Sequence, residues 1–215
     1  MAACFVVFGV ELMVQASGGE AGLEAFYRDF GVVPVDLLKA VEDGRLLSPP
    51  VLALVAHQFL HGGWFHIGSN MLYLWIFGNN VEDRLGRPAY LLFYLGGGIA
   101  AALAQVAIDP TSDIPLVGAS GAIAAVLGAY FVLFPGARVL SIVFLVVFFQ
   151  LIEVPAVIVL GLWFLLQVID GLASIGVTEI VGGVAIFAHI GGFVVGMLVG
   201  LLVRLLHPRP LGTGW

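Results

Sequence analysis

A serine and a histidine lie about seventy residues apart in this chain, each within a stretch apolar enough for hydrocarbon. Ser120 sits in Gly118-Ala119-Ser120-Gly121 and His189 in Ala188-His189-Ile190-Gly191-Gly192. Ionisable groups inside a bilayer are costly and face the bundle interior, which makes an intramembrane His a candidate functional group. A serine hydroxyl is a poor nucleophile at neutral pH and needs a neighbouring base, and imidazole titrates in the right range. The pair therefore predicts hydrolytic chemistry within a membrane. Acyl transfer also needs donors for the oxyanion. His66 and Asn70, four residues apart and so on one helical face, can supply them, and the Ser120 backbone N–H at a helix start adds another. No Asp or Glu falls at a matching depth, so a Ser–His dyad is expected rather than a triad.

These residues need a scaffold that spans lipid. The chain is 61% hydrophobic and 10% charged, against about 25% charged in ordinary soluble domains. A crossing takes about 20 mostly apolar residues. Trp64 to Gly78, Tyr90 to Ile108, Ile114 to Phe134, Val154 to Leu172 and Ile180 to Leu206 meet or approach that length. Val139 to Gln150 reads as interfacial or as an early part of the fifth span. Met1 to Val14 is about 21 Å long as a helix. With no Lys or Arg before Arg28 it lacks the charged start of a signal peptide, so it reads as a short or truncated first helix. The sum is six spans in one domain covering 1–215. Gln15 to Pro50 is a long outer loop with short interfacial helices around Ala25-Phe26 and Val35 to Val41.

Charge placement sets the orientation. With the first helix running outward, the inner loops and tail hold Arg84, Arg87, Arg138, Arg204 and Arg209, whereas the short outer loops hold Asp109, Asp113, Asp170 and Glu179. Cationic loops stay inside, so both termini are expected in the cytoplasm of a plasma (inner) membrane protein. Spans two, four and six then run from outside to inside. Ser120 is about six residues into the fourth and His189 about nine into the sixth, both on the order of 10 Å below the outer surface. Gly192, Gly196 and Gly200 form a small-residue stripe, with Gly121, Ala124, Ala125 and Gly128 as its match on the fourth span, allowing close helix contact. The acidic balance gives no support for nucleic-acid binding. His57 and His61 could be read as a metal pair, but no Cys or carboxylate stands nearby and they read better as hydrogen-bonded loop residues.

These pieces resemble the rhomboid family of intramembrane serine proteases over nearly the whole chain. The resemblance rests on His61-Gly62-Gly63-Trp64-Phe65-His66 followed by Asn70-Met71, on Glu82-Asp83-Arg84-Leu85-Gly86, on Gly118-Ala119-Ser120-Gly121, and on Ala188-His189-x-x-Gly192-x-x-x-Gly196. It implies an all-α, six-transmembrane-helix bundle with Ser120 and His189 catalytic. His66, Asn70 and the Ser120 amide would stabilise the oxyanion, and Gly118, Gly121, Gly192 and Gly196 would be structural glycines. The activity would be cleavage of single-pass transmembrane substrates within or beside their membrane segments, in the lipid bilayer and without metal or cofactor. Substrate entry is expected near span five and the last outer loop, flanked by Gly171, Gly176, Gly182 and Gly183. The chain departs from the pattern at Ala124, where some members carry an aromatic that stacks on the imidazole, so another side chain would have to support His189. It also lacks any Trp before Trp64. A non-catalytic scaffold of the same fold, binding transmembrane segments, is the alternative, although such a scaffold would be expected to lack the nucleophile or the base. A transporter is a third reading, disfavoured because the polar groups lie toward one face and no repeat is visible.

Overall fold

The computed structural model describes residues 1–145, 148–174 and 185–206. Helix α1 (Ala2–Phe30) leads into two short helices, α2 (Pro34–Glu42) and α3 (Pro49–Ala56), and a 3-10 turn at His57–Phe59. Helices α4 (Trp64–Leu85), α5 (Arg87–Ile108) and α6 (Ser120–Leu133) follow, then strands β1 (Arg138–Leu145) and β2 (Phe148–Pro155), and finally α7 (Ala156–Ser174) and α8 (Ile186–Leu206). The architecture is a mainly helical membrane bundle. Helices α1, α5, α7 and α8 are each long and apolar enough to cross a membrane. Helix α4 has comparable length at 22 residues, but Ser69, Asn70, Asn79 and Asn80 interrupt its apolar surface.

Helix α6 is the pillar of the bundle. At 14 residues it is the shortest of the long helices, and it is buried from Gly121 through Tyr130 and again at Val132. A helix apolar all round belongs in a core, and here it packs against α4, α5, α7 and α8. The tightest contact is with α8, where glycines remove the side chains that would hold the axes apart. A Cβ on Gly196 would collide with the Ala125 carbonyl oxygen, one on Gly192 with the Gly121 carbonyl, and one on Gly128 with the Phe193 carbonyl. Gly196→Ala is accordingly expected to destabilise the bundle by about 1–3 kcal/mol through overpacking, read as a lower unfolding midpoint in detergent. Gly96→Ala on α5, where a Cβ meets nothing within 4 Å, should leave the midpoint unchanged or raise it slightly, since Ala is the better helix former.

Three expectations change. The fourth span does not begin as a helix at Ile114: residues 114–119 form no helix, and α6 begins at Ser120 itself. Leu116 pairs with Val32 in an antiparallel bridge, and Gly118 takes φ +131, a conformation favoured by glycine. Ser120 is thus in the first turn of its helix rather than six residues into it. Residues 139–145 and 148–150 fall in the paired antiparallel strands β1 and β2, with Ile142 opposite Leu151 and Leu140 opposite Glu153, instead of forming an early part of the fifth span. The first helix does not stop at Val14. It continues to Phe30 across a kink at Gly19, φ 65 and ψ −161, so the first half of the expected outer loop is helical, while Val35 to Val41 does lie in the short helix α2. Gly171 lies in the last turn of α7, where a Cβ would sit 3.1 Å from Ile190 Cδ1. Gly176, Glu179, Gly182, Gly183 and Arg209 lie outside the described residues.

Candidate active site

Three helix N-termini converge at one end of the bundle: α4 with His66 and Asn70, α6 with Ser120, and α8 with His189. Ser120 Oγ lies 2.8 Å from His189 Nε2, across 69 residues of sequence. That is hydrogen-bond length for a hydroxyl and a ring nitrogen. Both residues are only half-buried. Ser120 is the first residue of α6, so its backbone N–H is one of the early helical amides with no intrahelical acceptor.

His66 comes to the same place from α4. The Gly62 backbone N–H donates to His66 Nδ1 at 3.1 Å. A neutral ring that accepts at Nδ1 carries its proton on Nε2, so Nε2–H is the free donor. That nitrogen faces the Gly118–Ser120 turn: a Cβ on Gly118 would stand 2.8 Å from it and 3.7 Å from Ser120 Oγ. Gly118 is needed twice over, for its positive φ and for the space it leaves beside His66. Asn70 is buried, and its Nδ2 donates to the His66 carbonyl at 2.8 Å. One amide proton is thereby used for orientation and the second remains as a donor.

The segment before α4 is tied down from both sides. His57 is buried; its Nδ1 meets the Ala53 carbonyl at 3.0 Å while its own carbonyl accepts from Gly118 N–H at 2.9 Å. Burial pushes the imidazole down to about 4, which keeps it neutral, and the Ala53 carbonyl, which can only accept, sets its proton on Nδ1. His61, also pushed down to about 4 by burial, holds the Phe59 carbonyl through Nδ1 at 3.1 Å. Its backbone is fixed by α1, whose buried Glu11 accepts its N–H at 3.0 Å and whose Tyr27 hydroxyl donates to its carbonyl at 3.1 Å. The His61 ring then meets His66 edge-on at 5.3 Å. Both histidines serve the local backbone, and among the described residues no group of three or more His, Cys, Asp or Glu is placed to hold a metal ion. Glu82, at the far end of α4, pairs with Arg87 at 3.3 Å, an exposed contact worth little.

The start of α8 is set by α5. Gln105 Oε1 accepts from the Phe187 and Ala188 backbone N–H groups at 3.1 and 3.3 Å, a cap supplied from another helix. Because His189 follows directly, this cap fixes where the imidazole begins. Gln105→Leu should cost about 1–2 kcal/mol of stability and lower any Ser120- and His189-dependent activity. Gln105→Glu, which keeps the acceptors at a helix N-terminus, should retain both; thermal unfolding in detergent alongside an activity assay checks this.

Ala124 is fully buried against α8, where a Cβ on Gly192 would lie 3.2 Å from its own Cβ. An aromatic there would force the α6–α8 seam apart. Two residues reach His189 from α7 instead: Gln167, which the sequence does not single out, and Trp163, which by sequence reads only as a lipid-facing or core aromatic. Gln167 Oε1 lies 2.7 Å from His189 Nδ1, and the Trp163 ring is 5.8 Å from the imidazole at an interplanar angle of 41°. Gln105, Gln167 and Glu11 each carried the signal that singled out His189, a polar group within an apolar helix. The partner could not be read from spacing.

With this geometry in place, comparison with known proteins places the chain. A sequence model of the Rhomboid domain matches residues 49–205. The chain belongs to the Rhomboid family. It is 32% identical over 155 residues to Rhomboid protein 1, mitochondrial, of Saccharomyces cerevisiae, covering 69% of this chain and 41% of that protein. The Rhomboid protease GluP of Bacillus subtilis is 36% identical over 117 residues, 54% of this chain and 21% of the protease. The bovine Presenilin-associated rhomboid-like protein, mitochondrial, is 33% identical over 105 residues, 48% of this chain and 26% of its own. The chain thus spans well under half the length of each of these rhomboid relatives. As a rhomboid it is a multi-pass membrane protein, and the matched region takes in α4, α5, α6, α7 and all but the last residue of α8.

Proposed function

We propose that this rhomboid is an intramembrane serine endopeptidase that cleaves single-pass membrane proteins within or next to their transmembrane segments. The observation that carries the reading is the 2.8 Å contact between Ser120 Oγ and His189 Nε2 inside an apolar bundle. In the proposed cycle His189 Nε2 takes the Ser120 proton as Oγ attacks the scissile carbonyl carbon. The resulting oxyanion receives hydrogen bonds from the Ser120 amide, His66 Nε2–H and Asn70 Nδ2–H. Collapse breaks the peptide C–N bond, and the imidazolium returns its proton to the leaving amine. Water, deprotonated by His189, then attacks the acyl carbon, the ester C–Oγ bond breaks, and the imidazolium returns its proton to Ser120 Oγ as the acid product leaves.

The location of the site fits a membrane-anchored substrate. Ser120, His66 and His189 all belong to the first turns of their helices, so the site lies toward one membrane face instead of the midplane. The cationic inner loops support that face being the outer one and both termini being cytoplasmic, in keeping with a plasma-membrane protein. Some relatives are mitochondrial by name, and the same topology would then apply to an organellar membrane. Purified full chain incubated with a labelled transmembrane substrate and a fluorophosphonate tests the reading. Cleavage, with the adduct mapped to Ser120, is the expected result; cleavage with no adduct at Ser120 would overturn it.

A further inference from the structure

We propose that α7 supplies the group that holds the base: Gln167 is a positioning residue that fixes the His189 tautomer, with Trp163 restraining the ring. This rests on the reading of Ser120 and His189 as nucleophile and base, and it gives that pair a third, uncharged member.

Trp163 and Gln167 are four residues apart on α7 and therefore share one helical face. That face meets His189. The Gln167 amide oxygen can only accept, and at 2.7 Å from Nδ1 it requires the proton to be on Nδ1. A neutral imidazole protonated at Nδ1 has its lone pair on Nε2, the nitrogen 2.8 Å from Ser120 Oγ. One hydrogen bond thus sets the tautomer that a general base needs, the task a buried carboxylate performs in a serine triad. An amide does this without placing a second charge in the membrane, where an unpaired carboxylate would be costly. Trp163 covers the ring at a centroid distance of 5.8 Å, within the range of favourable aromatic contact. It occupies the role that Ala124 leaves vacant on α6. Trp163 also touches Phe193, at 6.0 Å, so the imidazole is braced from the same side as the α7–α8 contact.

The test uses full chain in detergent, a transmembrane substrate and a fluorophosphonate. Gln167→Leu keeps the volume and removes the acceptor. Its kcat should fall on the order of 100-fold, as expected for a misplaced reacting group, with KM unchanged and the rate of Ser120 labelling reduced in parallel. Gln167→Glu restores an acceptor and adds charge beside the imidazole. It should keep more activity than Gln167→Leu, and the acid limb of its pH profile should move to higher pH because a carboxylate favours the imidazolium. A Gln167→Leu chain that labels and cleaves like the parent overturns the proposal and leaves the dyad standing. Should Gln167→Leu not fold, a Gln167→Glu profile with an unmoved acid limb overturns it equally. A parent chain whose Ser120 does not label, or a Ser120→Ala chain that still cleaves, removes the dyad reading and this proposal together.

Discussion

Ser120→Ala and His189→Ala are each expected to lower kcat for a transmembrane substrate by on the order of 10⁴–10⁶-fold, and the double variant should be no worse than either alone. The reason is the shared proton. The hydroxyl attacks only as fast as Nε2 accepts its proton, and the imidazolium exists only because the hydroxyl supplied it. With either member gone the other has nothing to do, so the losses do not add. The 2.8 Å contact is what couples them. Two independent sites would instead give a double variant whose loss is the product of the single losses, and that outcome would separate Ser120 from His189. Neither substitution should weaken the fold much. Ser120 and His189 are only half-buried, and the seam between α6 and α8 is carried by the glycines below them. Unfolding midpoints measured beside the activities make the distinction between lost chemistry and lost structure.

Much of the bundle could be read from hydropathy, and its failures share one cause. Mean apolarity does not report conformation. Residues 114–119 are as greasy as the helix they precede, so the apolar run was read as one span; Pro115, which disfavours helix at the residue before it, and Gly118 carried the missing break. Residues 139–150 are rich in Val, Ile and Phe, residues suited to strands, yet in a membrane chain the same letters read as interfacial or as the start of a span. In the first helix the error is the opposite one: the apolar run ends at Val14 and the span reads as ending with it, whereas the helix only bends at Gly19 and continues through polar residues to Phe30. Ser120, His66, Asn70 and His189 stand out because a nucleophile, a base and N–H donors in grease have a chemical meaning by themselves. Gln167 and Gln105 have none until α7 and α5 are docked, since their meaning is the partner across 22 and 83 residues.

His66→Ala carries the second large effect: kcat lower by about 10²–10³-fold, or about 3–4 kcal/mol in the barrier, the usual loss for one oxyanion donor. The donor is pointed by its surroundings. Gly62 N–H occupies Nδ1, so the proton is on Nε2, and Gly118 has no side chain between that proton and the Ser120 turn. The negative charge it would meet exists only after Oγ has attacked. KM should therefore stay near the parent value while kcat and kcat/KM fall together. A rise in KM with kcat preserved would make His66 a substrate-binding residue and leave the oxyanion to the Ser120 amide. Asn70→Ala separates the donors further. Asn70 spends one amide proton on the His66 carbonyl, so its removal takes away a second donor and also loosens the turn carrying His66. If both groups bind one oxygen, the double variant should lose less than the product of the two single losses, because the first removal has already disturbed the site the second depends on.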